Sequence, residues 1–232
     1  DYREGGETRS RLDIAKSNLL ALLEALPPES RFGLGVFAGT YESVLILTPP
    51  SSLAKSRAEL KPMIRSIDRS WTWDDGTDLF QSIYSFGKIL EKSRDSFGEQ
   101  VTAIFLTDGE NSPAFIAHPS LDPRVFSGVQ FFFAGHGTTE GAKVPEFDEA
   151  WKLKGYRMGA GGEPLVSRMD EENLKNLARL LEGEYLRVDS GSALKSLTLK
   201  GALKKGRYET SVHLDWAFWV GSFAFICLFL IL

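Results

Sequence analysis

Apolar positions recur along this chain with two different periods. Residues 10–26 carry Leu12, Ala15, Leu19, Leu22, Leu23 and Leu26 at helical spacing, and Pro27-Pro28 stops the helix. Residues 31–38 (RFGLGVFA) read as a strand and residues 44–47 as a second. The two are antiparallel, because residues 39–43 are too short for a crossover. Helical patterns return over residues 53–67 and 77–92. Residues 100–107 and 129–134 (VQFFFA) are strands without polar alternation, which means burial on both faces, as in a mainly parallel sheet. A long glycine-rich excursion fills residues 135–164. Asp170 caps a helix over residues 170–181, with Glu171 and Glu172 in its first turn, where the helix dipole favours acids. Residues 184–188 make a last short strand and residues 193–197 a short helix. No repeat is visible, and the order of elements is that of a doubly wound α/β domain.

The end of the chain breaks this pattern. Residues 216–232 (WAFWVGSFAFICLFLIL) run 17 residues without a charge. As a helix they would span about 25 Å, slightly less than the roughly 30 Å of a bilayer core. Trp216 and Trp219 at the entry fit an interfacial aromatic belt. The segment reads as a transmembrane helix cut short, residues 198–215 as a juxtamembrane stalk, and residues 1–197 as the folded domain. The basic residues Lys200, Lys204, Lys205 and Arg207 in the stalk favour a cytoplasmic flank.

Composition adds exclusions. The 232 residues are 43% hydrophobic and 25% charged, ordinary for a globular protein. A net charge of -4 gives no support for nucleic-acid binding. The one cysteine, Cys227, lies in the apolar tail, so the folded domain has no disulfide, thiolate nucleophile or cysteine metal cluster.

Candidate chemistry gathers at two places. Leu106-Thr107-Asp108-Gly109-Glu110-Asn111 follows the apolar run 101–105, which puts a carboxylate at a strand's carboxyl end, where open α/β sheets collect their sites. Asp74-Asp75-Gly76-Thr77-Asp78 opens the helix at residue 77. A carboxylate and a hydroxyl on neighbouring loops suit a hard cation such as Mg²⁺. The plainer reading is that Asp108 caps a turn and that Thr77 or Asp78 caps a helix. Gly33-x-Gly35 falls inside a strand and opens no helix, so it is no dinucleotide fingerprint. His118, His136 and His213 are scattered without ligand spacing and read as surface or loop histidines.

Seven segments in order carry a family resemblance: Arg9-Ser10-Arg11-Leu12-Asp13-Ile14-Ala15-Lys16, Arg31 to Gly39, Leu47-Thr48-Pro49, Asp75-Gly76-Thr77-Asp78-Leu79, Phe105 to Asn111, Gly135 to Gly141, and Val166-Ser167-Arg168-Met169-Asp170. Over residues 9 to about 188 the chain resembles a von Willebrand factor A domain. More narrowly, it resembles the membrane-anchored bacterial Bat-type and MxaL-like group associated with MoxR-type AAA+ ATPases. The resemblance implies a metal-ion-dependent adhesion site for Mg²⁺ or Mn²⁺, with Thr77 at the family's second ligand position and Asp108 at its third. The first loop, Asp-x-Ser-x-Ser, has no match here. Asp189-Ser190-Gly191-Ser192 has the wrong spacing and place. The stretch that would carry this loop would also carry the first, central strand of the sheet, so the chain is expected to lack that strand as an N-terminally truncated fragment.

By the same resemblance, the expected function is a membrane-tethered interaction module. Its partners would be a MoxR-type ATPase, sister von Willebrand proteins and a client complex whose assembly or maturation it serves. Asp75, Asp78, Glu110, Asn111, Trp71 and Trp73 are candidate partner contacts; Asp78 reads better as a cap, Asp75 is undecided, Glu110 and Asn111 read equally as solvated loop residues, and the tryptophans equally as packing under the loop. The module is not expected to be an enzyme. The alternatives are a structural subunit with a decayed metal site and a metal-dependent hydrolase using Asp108. The expected place is a bacterial inner membrane with the domain on the periplasmic face, against which the basic stalk pulls.

Overall fold

Two apolar faces of one sheet organise the molecule, seen in a computed structural model that describes residues 2–4, 7–39, 43–68, 76–111, 120–148, 152–188, 193–195 and 226–230. An antiparallel pair, β1 (Tyr2–Glu4) and β2 (Glu7–Arg9), leads into α1 (Arg11–Ala25). There follow β3 (Arg31–Phe37), β4 (Val44–Ser52), α2 (Leu53–Ser66), α3 (Leu79–Phe97), β5 (Val101–Thr107) and β6 (Val129–His136). The excursion after β6 contains β7 (Ala142–Lys143), β8 (Pro145–Phe147), β9 (Leu153–Tyr156) and β10 (Val166–Ser167), paired as β7 with β10 and β8 with β9. Then come α4 (Glu171–Leu180), β11 (Glu184–Val188) and β12 (Ile226–Leu230). The six-stranded sheet has the order β11-β6-β5-β12-β3-β4, parallel throughout except for the β3–β4 pair.

The strand period of two sorts the core into two layers. Ile104, Leu106 and Phe132 face α1 and α2, where Ile14, Leu19, Leu22, Leu60 and Ile64 pack on them. Ala103, Phe105, Phe131 and Phe133 face α3 and α4, against Ile83, Phe86, Leu90, Leu174 and Leu177. Every residue of β5 is buried, as its unbroken apolar run requires. Phe105 is the hub of the second layer, with ring centroids 5.5 Å from Phe133, 5.9 Å from Phe37 and 6.0 Å from Phe86.

Local signals place the helices. Ser10 and Asp13 form a reciprocal capping box that starts α1, and the chain turns extended at Leu26 before the two prolines. Asp78 caps α3 by accepting the Gln81 N–H at 2.9 Å. Two elements run longer than their sequence patterns. β4 continues through Pro49 and Pro50, tolerable at a sheet edge where no ladder donor is missed. α3 continues past residue 92 through a non-helical Ser93 to Phe97. The buried Asn18 of α1 accepts the Leu194 N–H at 2.9 Å, which fastens residues 193–195 to the domain; the rest of the expected helix over 193–197 lies outside the described residues.

The tail departs from expectation. The expected stalk and most of residues 216–232 lie outside the described residues, but Ile226–Leu230 is a strand and not a stretch of membrane helix. Among the described residues no helix is long and apolar enough to cross a membrane. β12 takes the central slot that was expected to be empty. It pairs parallel with β5 from Ile226↔Thr102 to Leu230↔Leu106, and with β3 at Cys227↔Gly33 and Leu228↔Leu34. An uninterrupted apolar run suits a bilayer and a doubly covered sheet position equally well, so hydropathy does not separate the two. The slot between β3 and β5 offers two rows of backbone donors and acceptors that need partners. That requirement favours an extended strand there.

If Phe105 anchors the layer beneath α3 and α4, Phe105→Ala should lower unfolding stability by about 3–5 kcal/mol. Leu45→Ala, at a side chain 48% exposed, should stay within about 0.5 kcal/mol of the parent. Urea midpoints of the two variants check this.

Candidate functional site at the carboxyl edge of the sheet

β5 delivers Asp108 to the edge through a tight turn. The Thr107 hydroxyl accepts the Gly109 N–H at 2.9 Å, and Asp108 Oδ1 accepts the Glu110 N–H at 3.1 Å. Gly109 has φ +78°, and a Cβ there would lie 2.6 Å from the Asp170 carbonyl oxygen and 2.7 Å from Leu174 Cγ. Glycine is required by both conformation and space. The Asp108 carbonyl accepts the Asp170 N–H at 2.8 Å, and the Gly109 carbonyl accepts from Asn173 Nδ2 at 2.7 Å. The loop is thereby fixed to the start of α4.

The other oxygen of Asp108 faces a cation supplied by the chain itself. Arg11, the first residue of α1, donates from Nη1 to Asp108 Oδ2 at 2.5 Å and to Ser167 Oγ at 2.6 Å, and from Nη2 to the Ser167 carbonyl at 2.9 Å. Ser167 Oγ donates onward to Glu110, whose other oxygen accepts the Arg168 N–H at 2.8 Å. A Cβ at Gly137 would stand 3.1 Å from Arg11 Nε, so the loop after β6 borders the guanidinium closely. The pair is largely shielded from water, with side-chain exposures of 21% for Arg11 and 13% for Asp108. Burial pushes the Asp108 carboxyl up to about 6, against the pull of Arg11 and of the Glu110 N–H.

Thr77 stands on the neighbouring loop. It bridges to Gly39 just past β3; Gly39 donates its N–H to the Gly76 carbonyl at 2.8 Å and accepts the Asp78 N–H at 3.1 Å. Asn111 Oδ1 accepts the Leu79 N–H at 3.1 Å, which ties the Asp108 loop to the start of α3. Thr77 is buried, and its hydroxyl has no partner among the described residues. His136 ends β6 with 3% exposure, its Nδ1 2.9 Å from the Ala134 carbonyl and its Nε2 without a partner among the described residues. Burial, with a smaller contribution from the charge of Arg11, holds this imidazole down at about 4. It is neutral at pH 7. The expectation of a surface or loop histidine therefore fails at His136, because an aromatic-rich strand end carries it into the core. His118 and His213 lie outside the described residues.

Of the expected partner contacts, Asp78 and Asn111 act as caps of α3, and Asp78 is buried. Glu110 is bound to Ser167 and Arg168, yet it still borders an open depression with Thr139, Arg168, Glu171 and Glu172. Trp71, Trp73 and Asp75 lie outside the described residues. Arg11 and Ser167 were not singled out from sequence, and His136 was read as a surface or loop residue. Arg11 and Ser167 stand in segments that carried the family resemblance, but nothing local says that a helix's first residue reaches a partner 97 or 156 positions away.

The donor set fits a divalent cation only in part. Thr77 offers a buried, uncommitted oxygen. Asp108 offers a carboxylate whose two oxygens are both engaged, one of them by a guanidinium. Among the described residues no three His, Cys, Asp or Glu side chains gather to hold a metal.

A family model for the von Willebrand factor type A domain matches residues 2–110, a stretch that includes Arg11, Thr77 and Asp108. Over those residues the chain is similar to a von Willebrand factor type A domain. The crystal structure of a conserved hypothetical protein, BatB from Bacteroides thetaiotaomicron, is similar at 27% identity and TM-score 0.64, over 84% of this chain and 88% of that one. An aerotolerance-related membrane protein from Bacteroides fragilis shares the fold at 23% identity and TM-score 0.64, over 84% and 89% of the two chains. No curated protein matches significantly.

The burial of His136 in this domain has a pH signature. Its folded value of about 4 lies below the ordinary 6.5. The associated stability is present above pH 6.5 and is lost as pH falls toward 4. Asp108, raised from 3.8 to about 6, acts in the opposite sense, so the two are separated by comparing variants. The stability of the parent relative to His136→Gln should shrink by about 2 kcal/mol between pH 7 and pH 5. Urea melts at both values check it, and parallel curves would refute a buried neutral His136.

Proposed function

We propose that this von Willebrand domain is the protein-interaction module of a Bat-type, membrane-tethered protein, and that it takes partners at the carboxyl edge of its sheet. One observation carries the reading: Asp108 and the unpartnered Thr77 hydroxyl stand on adjoining loops at that edge, in a domain similar to BatB. The role is adhesive and requires no bond-making residue.

A Mg²⁺ or Mn²⁺ ion at this edge would be held by Thr77 and Asp108, on the condition that an Asp-x-Ser-x-Ser loop, which residues 1–232 do not include, completes the set. It would supply positive charge for an acidic side chain of the partner. We assign the partners to sister von Willebrand proteins and a MoxR-type AAA+ ATPase, acting in assembly or maturation of a client complex. We assign the domain to the periplasmic face of a bacterial inner membrane. A second reading, a structural subunit with a decayed metal site, is favoured by the guanidinium resting on Asp108.

Calorimetric titration of Mn²⁺ into the full-length protein separates the two readings. The parent should bind, and a Thr77→Val, Asp108→Asn variant, shown to be folded by circular dichroism, should bind at least about tenfold more weakly, the loss of one good charged contact. A folded parent that binds no cation would leave the structural subunit as the reading.

A further inference from the structure

We propose that residues 138–168 form a strap over the carboxyl edge, that Arg11 is its latch, and that release of the latch uncovers Asp108 for a partner. The inference rests on the reading above that partners dock at this edge, and it adds the device that controls access.

The segment has the build of a strap. Its neck is closed, because the Thr138 carbonyl accepts the Gly141 N–H at 3.2 Å on the way out and the Met169 N–H at 3.0 Å on the way back. Between these bonds Ala142 and Lys143 pair with Ser167 and Val166. Gly141, with φ +77°, lets the two ends approach, since a Cβ there would stand 2.6 Å from the Ser167 carbonyl oxygen. Beyond the neck the segment bonds to itself. Among the described residues, β7, β8, β9 and β10 pair only with one another, and main-chain bonds at Val144, Arg157 and Leu165 join the two pairs. Apolar burial gives this segment little hold on the domain. Phe147, Leu153, Tyr156, Met158 and Leu165 are five of the seven large apolar side chains that are exposed among the described residues.

The hold is polar instead, and it is concentrated at Asp108. Arg11 reaches from α1 to both sides of the junction: Nη1 donates to Asp108 and to the Ser167 hydroxyl, and Nη2 to the Ser167 carbonyl. A planar fork serves these acceptors together, whereas a single ammonium does not match them. Glu110, from the Asp108 loop, accepts the Ser167 hydroxyl and the Arg168 N–H. The end of the strap is thus clamped between α1 and the loop it covers, and the Asp108 side chain is left 13% exposed. Gly137, with φ +134°, and the buried Met169 bound the segment that moves. Lifting Ser167 takes two of its three acceptors from Arg11 and opens the Oδ2 side of Asp108 to water.

Amide hydrogen exchange on the full-length protein, read by mass spectrometry, tests the latch. Arg11→Met keeps the stem without the charge; Ser167→Ala removes one acceptor and leaves Arg11 and Asp108 in place. Arg11→Met should speed exchange of the Arg168 and Met169 amides about tenfold or more, the weight of one lost charged hydrogen bond. Amides of β5 should keep the parent's rate. Ser167→Ala should move the same neck amides by less, and carbodiimide coupling of an amine should modify its Asp108 faster than the parent's. If Arg11→Met does not fold, Ser167→Ala decides alone. Unchanged neck exchange in folded variants, or a rise shared equally by β5, would overturn the latch. Faster neck exchange with Asp108 coupling unchanged would overturn the cover. The measurement uses no partner, so a failed latch leaves the docking edge standing, and a domain that docks nothing there would still show the latch.

Discussion

The ion pair between Arg11 and Asp108 is the contact on which the carboxyl edge of this domain depends. β5 is buried along its whole length, so the residue that follows it leaves the core with little water around it. An acid in that position needs hydrogen bonds and opposite charge, or it takes up a proton. Asp108 has both: a backbone N–H from its own turn and a guanidinium from the first turn of α1. Burial still outweighs them and lifts the carboxyl to about 6. The edge is thus poised, with its charge balance set by groups that sit close to the limit of what they can compensate.

The same strand explains why the edge can be built at all. Alternate residues of β5 feed the two core layers, with Ile104 and Leu106 turned toward α1 and α2 and Ala103 and Phe105 toward α3 and α4. Both layers must fill for the strand to hold its position, and the stacked Phe105, Phe131 and Phe133 fill one of them. Rigid packing beneath allows the loop above to carry function. Gly109, Thr107 and the caps of α3 and α4 then turn the chain at defined points, so that Asp108 and Thr77 emerge on adjoining loops.

Local rules made much of this legible. The capping residues Asp78 and Asp170, the helical spacing of the leucines over residues 12–26, the apolar runs of β5 and β6, and the break at Thr107-Asp108-Gly109 are all signals of short range, and they placed the helices and the strand end. Arg11 and Ser167 were illegible because their meeting is a product of topology: α1 enters beside β6, and β10 returns from the excursion to the same edge. His136 was misread for a similar reason, since a histidine two residues after an apolar run can lie on either side of the surface. The tail shows a different limit. Ile226–Leu230 has a composition that two environments accept, and only the unpaired backbone of β3 and β5 distinguishes them.

The excursion between β6 and α4 brings these threads together. Its strands are short, and Leu153, Met158 and Leu165 are 59%, 59% and 47% exposed, so burial contributes little to holding it. Pairings such as Arg157 N–H to the Val144 carbonyl and Leu165 N–H to the Arg157 carbonyl order it internally. What fastens its C-terminal end to the domain is the Arg11 guanidinium at Ser167, the Glu110 carboxylate at the Arg168 N–H, and the Asp170 N–H to the Asp108 carbonyl. A segment with few buried contacts has a low free energy of local opening, and one charged tie is then a large share of what restrains it. The residue that balances Asp108 is therefore also the residue that anchors the excursion, and any change of charge at the site is felt there first.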